Sequence, residues 1–231
     1  MTPKKALIAI TSNNDVFYED GTRGGLYWSE AAHAYNIYKG AGFDVEFASE
    51  NGKYGIDGHS LIPPQFISED DLREYEDKSL PIHADLAKIK KASDVNPDEF
   101  SIFFAAGGHA TLFDFPTAIG LQNVARKIYN NGGVVSAVCH GPSIFAGLED
   151  LVKGKKVTCF VATAEDDLGL SPTLQKFNLK TNEDLIKQIG GVLVPPPDAW
   201  SDFVVSDDRI VSGVNPASAH STARESIKAL A

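Results

Sequence analysis

Short runs that are apolar at every position alternate along the chain with longer segments whose apolar residues recur at helical spacing. Residues 6–11 form the first such run and predict a strand buried on both faces. A polar loop follows, and from Leu26 the pattern turns helical. Leu26, Glu30, Ala34 and Ile37 share one stripe, and Tyr27, Ala31, Tyr35 and Tyr38 share the next. Gly40-Ala41-Gly42 predicts the helix end, and residues 44–49 a second strand. Strand, helix and strand in succession make a βαβ unit and imply a parallel sheet. Residues 51–79 break the rhythm with Gly, Pro-Pro and an acidic stretch, and read as an inserted cap; a linker between domains is the alternative. Helices are then expected at 80–91, 118–128, 142–148, 183–189 and 218–230. Strands are expected at 100–105, 134–138, 156–161 and 192–194, with a hairpin pairing 203–205 with 209–212. This alternation is that of an α/β protein, a three-layer flavodoxin-like sandwich with a mostly parallel sheet.

Composition narrows the possibilities. The chain has 231 residues, 43% hydrophobic, and a formal net charge of −10. That length suits a single α/β domain, 1–231, carrying the small cap. An acidic balance argues against nucleic-acid binding, which needs clustered Lys and Arg. No apolar run is long enough to span a membrane, and the apolar run after Lys4-Lys5 is too short for a signal peptide. Two cysteines, Cys139 and Cys159, cannot make a disulfide framework and fit a reducing cytoplasm. No Cys/His spacing predicts a metal, and neither the lysine-bearing phosphate loop nor the dinucleotide fingerprint is present.

Ligands of such sheets bind beyond the carboxyl ends of the strands. There the strand 134–138 runs into Cys139-His140-Gly141-Pro142. Glycine lets the turn close, and proline suits the first position of a following helix. These are the mechanics of a nucleophile elbow, and a helix N-terminus beside it would lower the thiol pKa. A small buried cysteine is the plainer reading of Cys139, but the elbow favours a reactive thiol; Cys159, inside a strand pattern, is core. His140 is the candidate base, and Glu165 of Glu165-Asp166-Asp167 the best-placed acid to orient it, with Asp166 as the alternative. Gly107-Gly108-His109 ends the strand before, so the N–H groups of Gly108 and His140 are candidate oxyanion donors. Glu30 lies on an apolar helix stripe, where a carboxylate must find a partner or stay protonated. His33, His59, His83 and His220 show no metal spacing.

Three segments carry a resemblance: Ala105-Ala106-Gly107-Gly108-His109, Ala137-Val138-Cys139-His140-Gly141-Pro142, and Gly213-Val214-Asn215-Pro216-Ala217-Ser218-Ala219. They are similar to the PfpI-like superfamily, which includes the Parkinson-disease protein deglycase and bacterial intracellular peptidases. Thr11-Ser12, Asp15-Val16-Phe17-Tyr18, Gly25, Glu30, Phe43 and Ser49-Glu50 resemble its branch of fungal thirty-one-kilodalton heat-shock chaperones, also called glutathione-independent glyoxalase III. The resemblance covers 5–230 and departs at Ala110, where many members have glycine. It implies a cytoplasmic homodimer, a triad of Cys139, His140 and Glu165, and a buried carboxylate, Glu30, beside the sulfur. It also implies a lyase acting on a small 2-oxoaldehyde, methylglyoxal, to give lactate with no metal, nucleotide or other cofactor. The competing readings are a cysteine amidase or protein deglycase on the same site, a chaperone holding unfolded clients, and a redox sensor.

Overall fold

A strand that is apolar throughout has to be covered on both faces, and helices on each side of a parallel sheet do this here. The computed structural model describes residues 4–230. Along the chain run β1 (Lys5–Ala9), α1 (Trp28–Gly40), β2 (Asp44–Ser49), α2 (Glu69–Glu76), α3 (Pro81–Leu86), β3 (Lys90–Lys91) and β4 (Ile102–Ala105). Next come α4 (Thr111–Asp114), α5 (Ile119–Asn130), β5 (Val134–Val138), α6 (Glu149–Val152), β6 (Lys156–Val157), α7 (Ala162–Asp167) and α8 (Ser171–Lys176). The chain closes with α9 (Asn182–Gln188), β7 (Val192–Leu193), β8 (Val204–Asp207), β9 (Ile210–Gly213) and α10 (Ala219–Ala229). Among the described residues, seven strands form one sheet in the order β3-β2-β1-β4-β5-β9-β8. Every pair is parallel except β8 with β9, the expected hairpin.

The period of two along each strand sorts the core into two layers. Leu7, Ala9, Phe103, Ala105, Val135 and Ala137 face Leu121, Val124, Ala125 and Ile128 of α5 and Ile186 of α9. Ala6, Ile8, Ile102, Phe104 and Val138 face the other way, into Ala31, Ala34, Tyr35 and Tyr38 of α1 and Ala219 and Ala223 of α10. The three-layer α/β sandwich expected from the alternation is therefore the fold.

Local boundaries differ where tertiary contacts override pattern. The first helix starts at Trp28, because Leu26 is drawn into a bridge with Ile56. The segment expected to be helical over 80–91 is helical only to Leu86 and then supplies the edge strand β3. The strand expected at 156–161 stops at Val157 and pairs with β7 in a separate two-stranded sheet, outside the main one. The helix expected after Cys139 is a 3-10 turn, Gly141–Gly147. Within 51–79, a 3-10 turn (His59–Leu61) and α2 lay Leu61, Leu72 and Tyr75 against the α1 side of the core.

The N-terminus of α5 lacks a side-chain cap of its own, since Ala118 stands there. Glu50, just past β2, supplies one: its Oε1 accepts from Gly120 N at 3.0 Å and its Oε2 from Leu121 N at 2.9 Å. Glu50→Ala should therefore lower unfolding stability by about 1–2 kcal/mol, read as a fall in the urea midpoint, with Glu50→Gln recovering part of the loss.

Candidate active site

Cys139 leaves β5 with φ 59°, in the left-handed region. Among the described residues the other non-glycine positions with positive φ are Asn178 and Asp208, side-chain types that tolerate it. A cysteine in that conformation has to be held. Cys139 N donates to Gly213 O at 3.0 Å, and its carbonyl accepts from Phe160 N at 2.9 Å. Gly141 completes the elbow, because a Cβ there would meet Ala105 O at 2.2 Å.

The turn sets the sulfur 3.3 Å from His140 Nδ1. His140 Nε2 lies 2.7 Å from Glu165 Oε1, and His109 Nε2 lies 3.0 Å from Glu165 Oε2. Glu165 belongs to α7, not to a loop. Successive helical side chains diverge, so Asp166 turns to Ser171 Oγ (2.5 Å) and Asp167 to Trp200 Nε1 (3.4 Å). Glu30, fully buried in the first turn of α1, accepts from Gly107 N at 2.6 Å and stands beside the Cys139 thiol; its Oε1 has no hydrogen-bond partner. The N–H of Gly108 carries no protein partner among the described residues. Gly108 has φ 108°, and a Cβ there would meet Gly25 O at 2.1 Å, so the position requires glycine.

Charge follows from burial. Burial raises Glu30 to about 8, with Gly107 N–H and the thiol opposing, so its carboxyl is protonated at neutral pH. Burial also pushes the Cys139 thiol up, and Glu30 and Glu165 add to this. The lowered thiol pKa expected from a helix N-terminus is thus not what the surroundings produce: a 3-10 turn follows the cysteine, and two carboxyl groups stand near it. Burial and the charge of His109 lower His140 to about 4. For Glu165, burial works upward, but the two imidazoles outweigh it and hold the carboxyl well below its ordinary range. Cys159 is buried in the α5-side core, as expected of a structural thiol.

The sulfur stands on the wall of a cavity of about 410 Å³. Tyr27, Phe66, Phe160 and Trp200 give it an aromatic lining, Asp20 and Asp167 add acid, and no lysine or arginine of the described residues lines it. One ring nitrogen each of His109 and His140 and a Glu165 oxygen lie within 4.8 Å of one another, the donor types of a two-histidine, one-carboxylate metal site. Here each imidazole nitrogen faces its own carboxylate oxygen, so the buried set is satisfied by hydrogen bonds. The spacing of these residues could not have announced it, since they come from three separate segments. Nothing in the residue pattern predicts a role for His109, Tyr18 or Asp57. Tyr18 OH donates to Asp57 Oδ2 at 2.9 Å and lies 3.4 Å from His109 Nδ1, so all three join the site. Their one signal is that Tyr18 and His109 fall inside the segments that carry the resemblance. His59 and His33 pair with Asp20 and Asp71, and His83 with the Glu74 carbonyl.

The comparisons with known proteins agree with one another. The glutathione-independent glyoxalase HSP31 of Saccharomyces cerevisiae is 48% identical over 236 aligned positions, covering 100% of this chain and 99% of that protein. Glyoxalase 3 of Candida albicans is 42% identical, covering 97% of this chain and 98% of its own. The crystal structure of glyoxalase III from Candida albicans superposes with a TM-score of 0.93 at 42% identity, covering 97% of this chain and 96% of that one. The model of the DJ-1/PfpI family matches residues 28–229, and with these full-length fungal relatives it means that the chain belongs to the DJ-1/PfpI family.

Proposed function

We propose that this chain is a glutathione-independent glyoxalase, which converts methylglyoxal and water to lactate on the thiol of Cys139. One observation carries the reading. The Glu165–His140–Cys139 chain, with protonated Glu30 near the sulfur, faces an aromatic-lined cavity in a protein 48% identical along its whole length to one named for this activity.

The chemistry follows from the charges. The resting thiol keeps its proton, so a base must take it as the sulfur attacks. His140 does so: its Nε2–H is engaged by Glu165, which leaves Nδ1 open toward the sulfur. Attack on the aldehyde carbon makes a hemithioacetal, whose oxygen is met by the N–H groups of Gly108 and His140. His140 hands the thiol's proton to the hemithioacetal oxygen and, neutral again, removes the hydrogen on that carbon while the neighbouring carbonyl oxygen takes a proton from Glu30, and an enediol forms. Glu30, as a carboxylic acid, donates to and accepts from the substrate oxygens. Reprotonation at the neighbouring carbon gives a lactoyl thioester on Cys139. Water cleaves the thioester, releasing lactate and the thiol. One carbon is oxidised and its neighbour reduced, so no external electron acceptor enters.

Residues 51–79 act in this reading as the cap, since His59, Ile62, Gln65 and Phe66 form one wall of the cavity. The ligand is accordingly a small molecule. The reading extends to a cytoplasmic homodimer, and sedimentation velocity should return two copies rather than one.

Cys139→Ala should reduce lactate formation from methylglyoxal, without glutathione, by about 10³-fold or more, with an unchanged circular dichroism spectrum. Retained activity would remove the thiol from the reaction. Glu30 acts as a donor only while protonated, and it loses its proton near pH 8. The rate kcat/KM should therefore fall as pH rises through about 8. Glu30→Gln should be slower by about 10–100-fold and lack that basic limb.

A further inference from the structure

The reaction above uses one oxygen of Glu165. The second is held by His109, and behind His109 the hydrogen bonds continue. Its Nδ1 lies 3.4 Å from the Tyr18 hydroxyl, which donates to Asp57 Oδ2 at 2.9 Å. Asp57 is wholly buried, and its Oδ1 accepts from His59 N at 2.9 Å and Ser60 N at 3.3 Å. A continuous path thus runs from Asp57 through Tyr18, His109, Glu165 and His140 to Cys139, and each member is buried. An imidazole placed between one buried carboxylate and a tyrosine bound to another is in surroundings that favour its cation. The two histidine rings are 4.1 Å apart, so a charge on one acts directly on the other.

We propose that His109 is a positioning residue of this site: held as an imidazolium between Glu165 and the Tyr18–Asp57 pair, it fixes the Glu165 carboxylate and keeps His140 neutral until the thiol surrenders its proton. The inference rests on the Cys139–His140–Glu165 reading given above. Its physical content is a competition over His140. Glu165, 2.7 Å away, favours a protonated ring and with it a resting thiolate–imidazolium pair. The charge on His109 opposes this, as does burial. The groups facing these two rings are Glu165 from α7, Cys139 at the end of β5, Tyr18 from the loop after β1, and Asp57 from the loop after β2. Glu30 of α1 acts through the sulfur. Burial works against a charged His109, and Glu165 and then Asp57 outweigh it, so its pKa is raised.

Neutralising His109 should therefore shift the protonation of His140 upward. In His109→Gln, which keeps an N–H for Glu165 but carries no charge, the acidic limb of kcat/KM should move up by about one pH unit or more. The same variant should gain thiolate absorbance near 240 nm at neutral pH, and should react faster with iodoacetamide at low pH. Tyr18→Phe, which leaves both imidazoles in place, should shift the limb in the same direction by less. A purely structural role for His109 would lower the rate evenly at every pH and leave the limb, the absorbance and the alkylation profile where they are in the wild type; that result overturns the proposal. Should His109→Gln fail to fold, the limb in Tyr18→Phe decides. Absorbance and alkylation read the sulfur without turnover. Failure here therefore stays distinct from failure of the glyoxalase reading, which Cys139→Ala tests.

Discussion

The structure turns on a cysteine held in a backbone conformation that cysteine disfavours. The left-handed turn at Cys139 costs about 1–2 kcal/mol relative to an ordinary one. The sheet offsets that cost by taking the N–H of Cys139 into the β9 end and its carbonyl into the chain at Phe160. Two strand ends and a loop must therefore be in register before the sulfur can face the cavity. The buried two-sided sheet is what holds them there. Parallel strands with side chains locked on both faces resist slippage, because a shift of one residue would exchange the α1-side and α5-side cores.

Within that frame the site is governed by the economy of charge. Glu30, Glu165 and Asp57 are all buried, and three carboxylates in so small a volume could not all be ionised without compensation. The structure resolves the conflict by giving each a different solution. Glu30 keeps its proton. Glu165 is ionised between two imidazoles. Asp57 is held by a tyrosine hydroxyl and two backbone N–H groups. The thiol is left protonated and dependent on a base, which suits a nucleophile that should react with substrate and not with passing electrophiles.

How much of this the sequence disclosed depends on how local each feature is. The elbow is local: Cys139, Gly141 and Pro142 sit together, and the turn they encode is the one observed. The helical stripe marked Glu30 because the cost of burying a carboxylate is visible from periodicity alone. Position after the strand favoured Glu165 but left Asp166 open, since the helix that separates their directions reads as an acidic loop. The expected strand at 156–161 was misled by apolar residues that serve core packing after the chain has left its short strand. His109, Tyr18 and Asp57 stayed silent because their chemistry exists only after three distant segments close on one another.

Vicinal dicarbonyls condense with guanidinium and primary amine groups, and a catalyst of such molecules meets its own substrate as a poison. The lining offers aromatic rings, aliphatic side chains, acids and imidazoles, but neither of the two cationic residues that form lasting adducts. A dicarbonyl waiting beside the sulfur thus finds a single strong nucleophile, whose bond to it is reversible. All 21 lysines and arginines stand outside this lining, so lasting adducts form away from the sulfur.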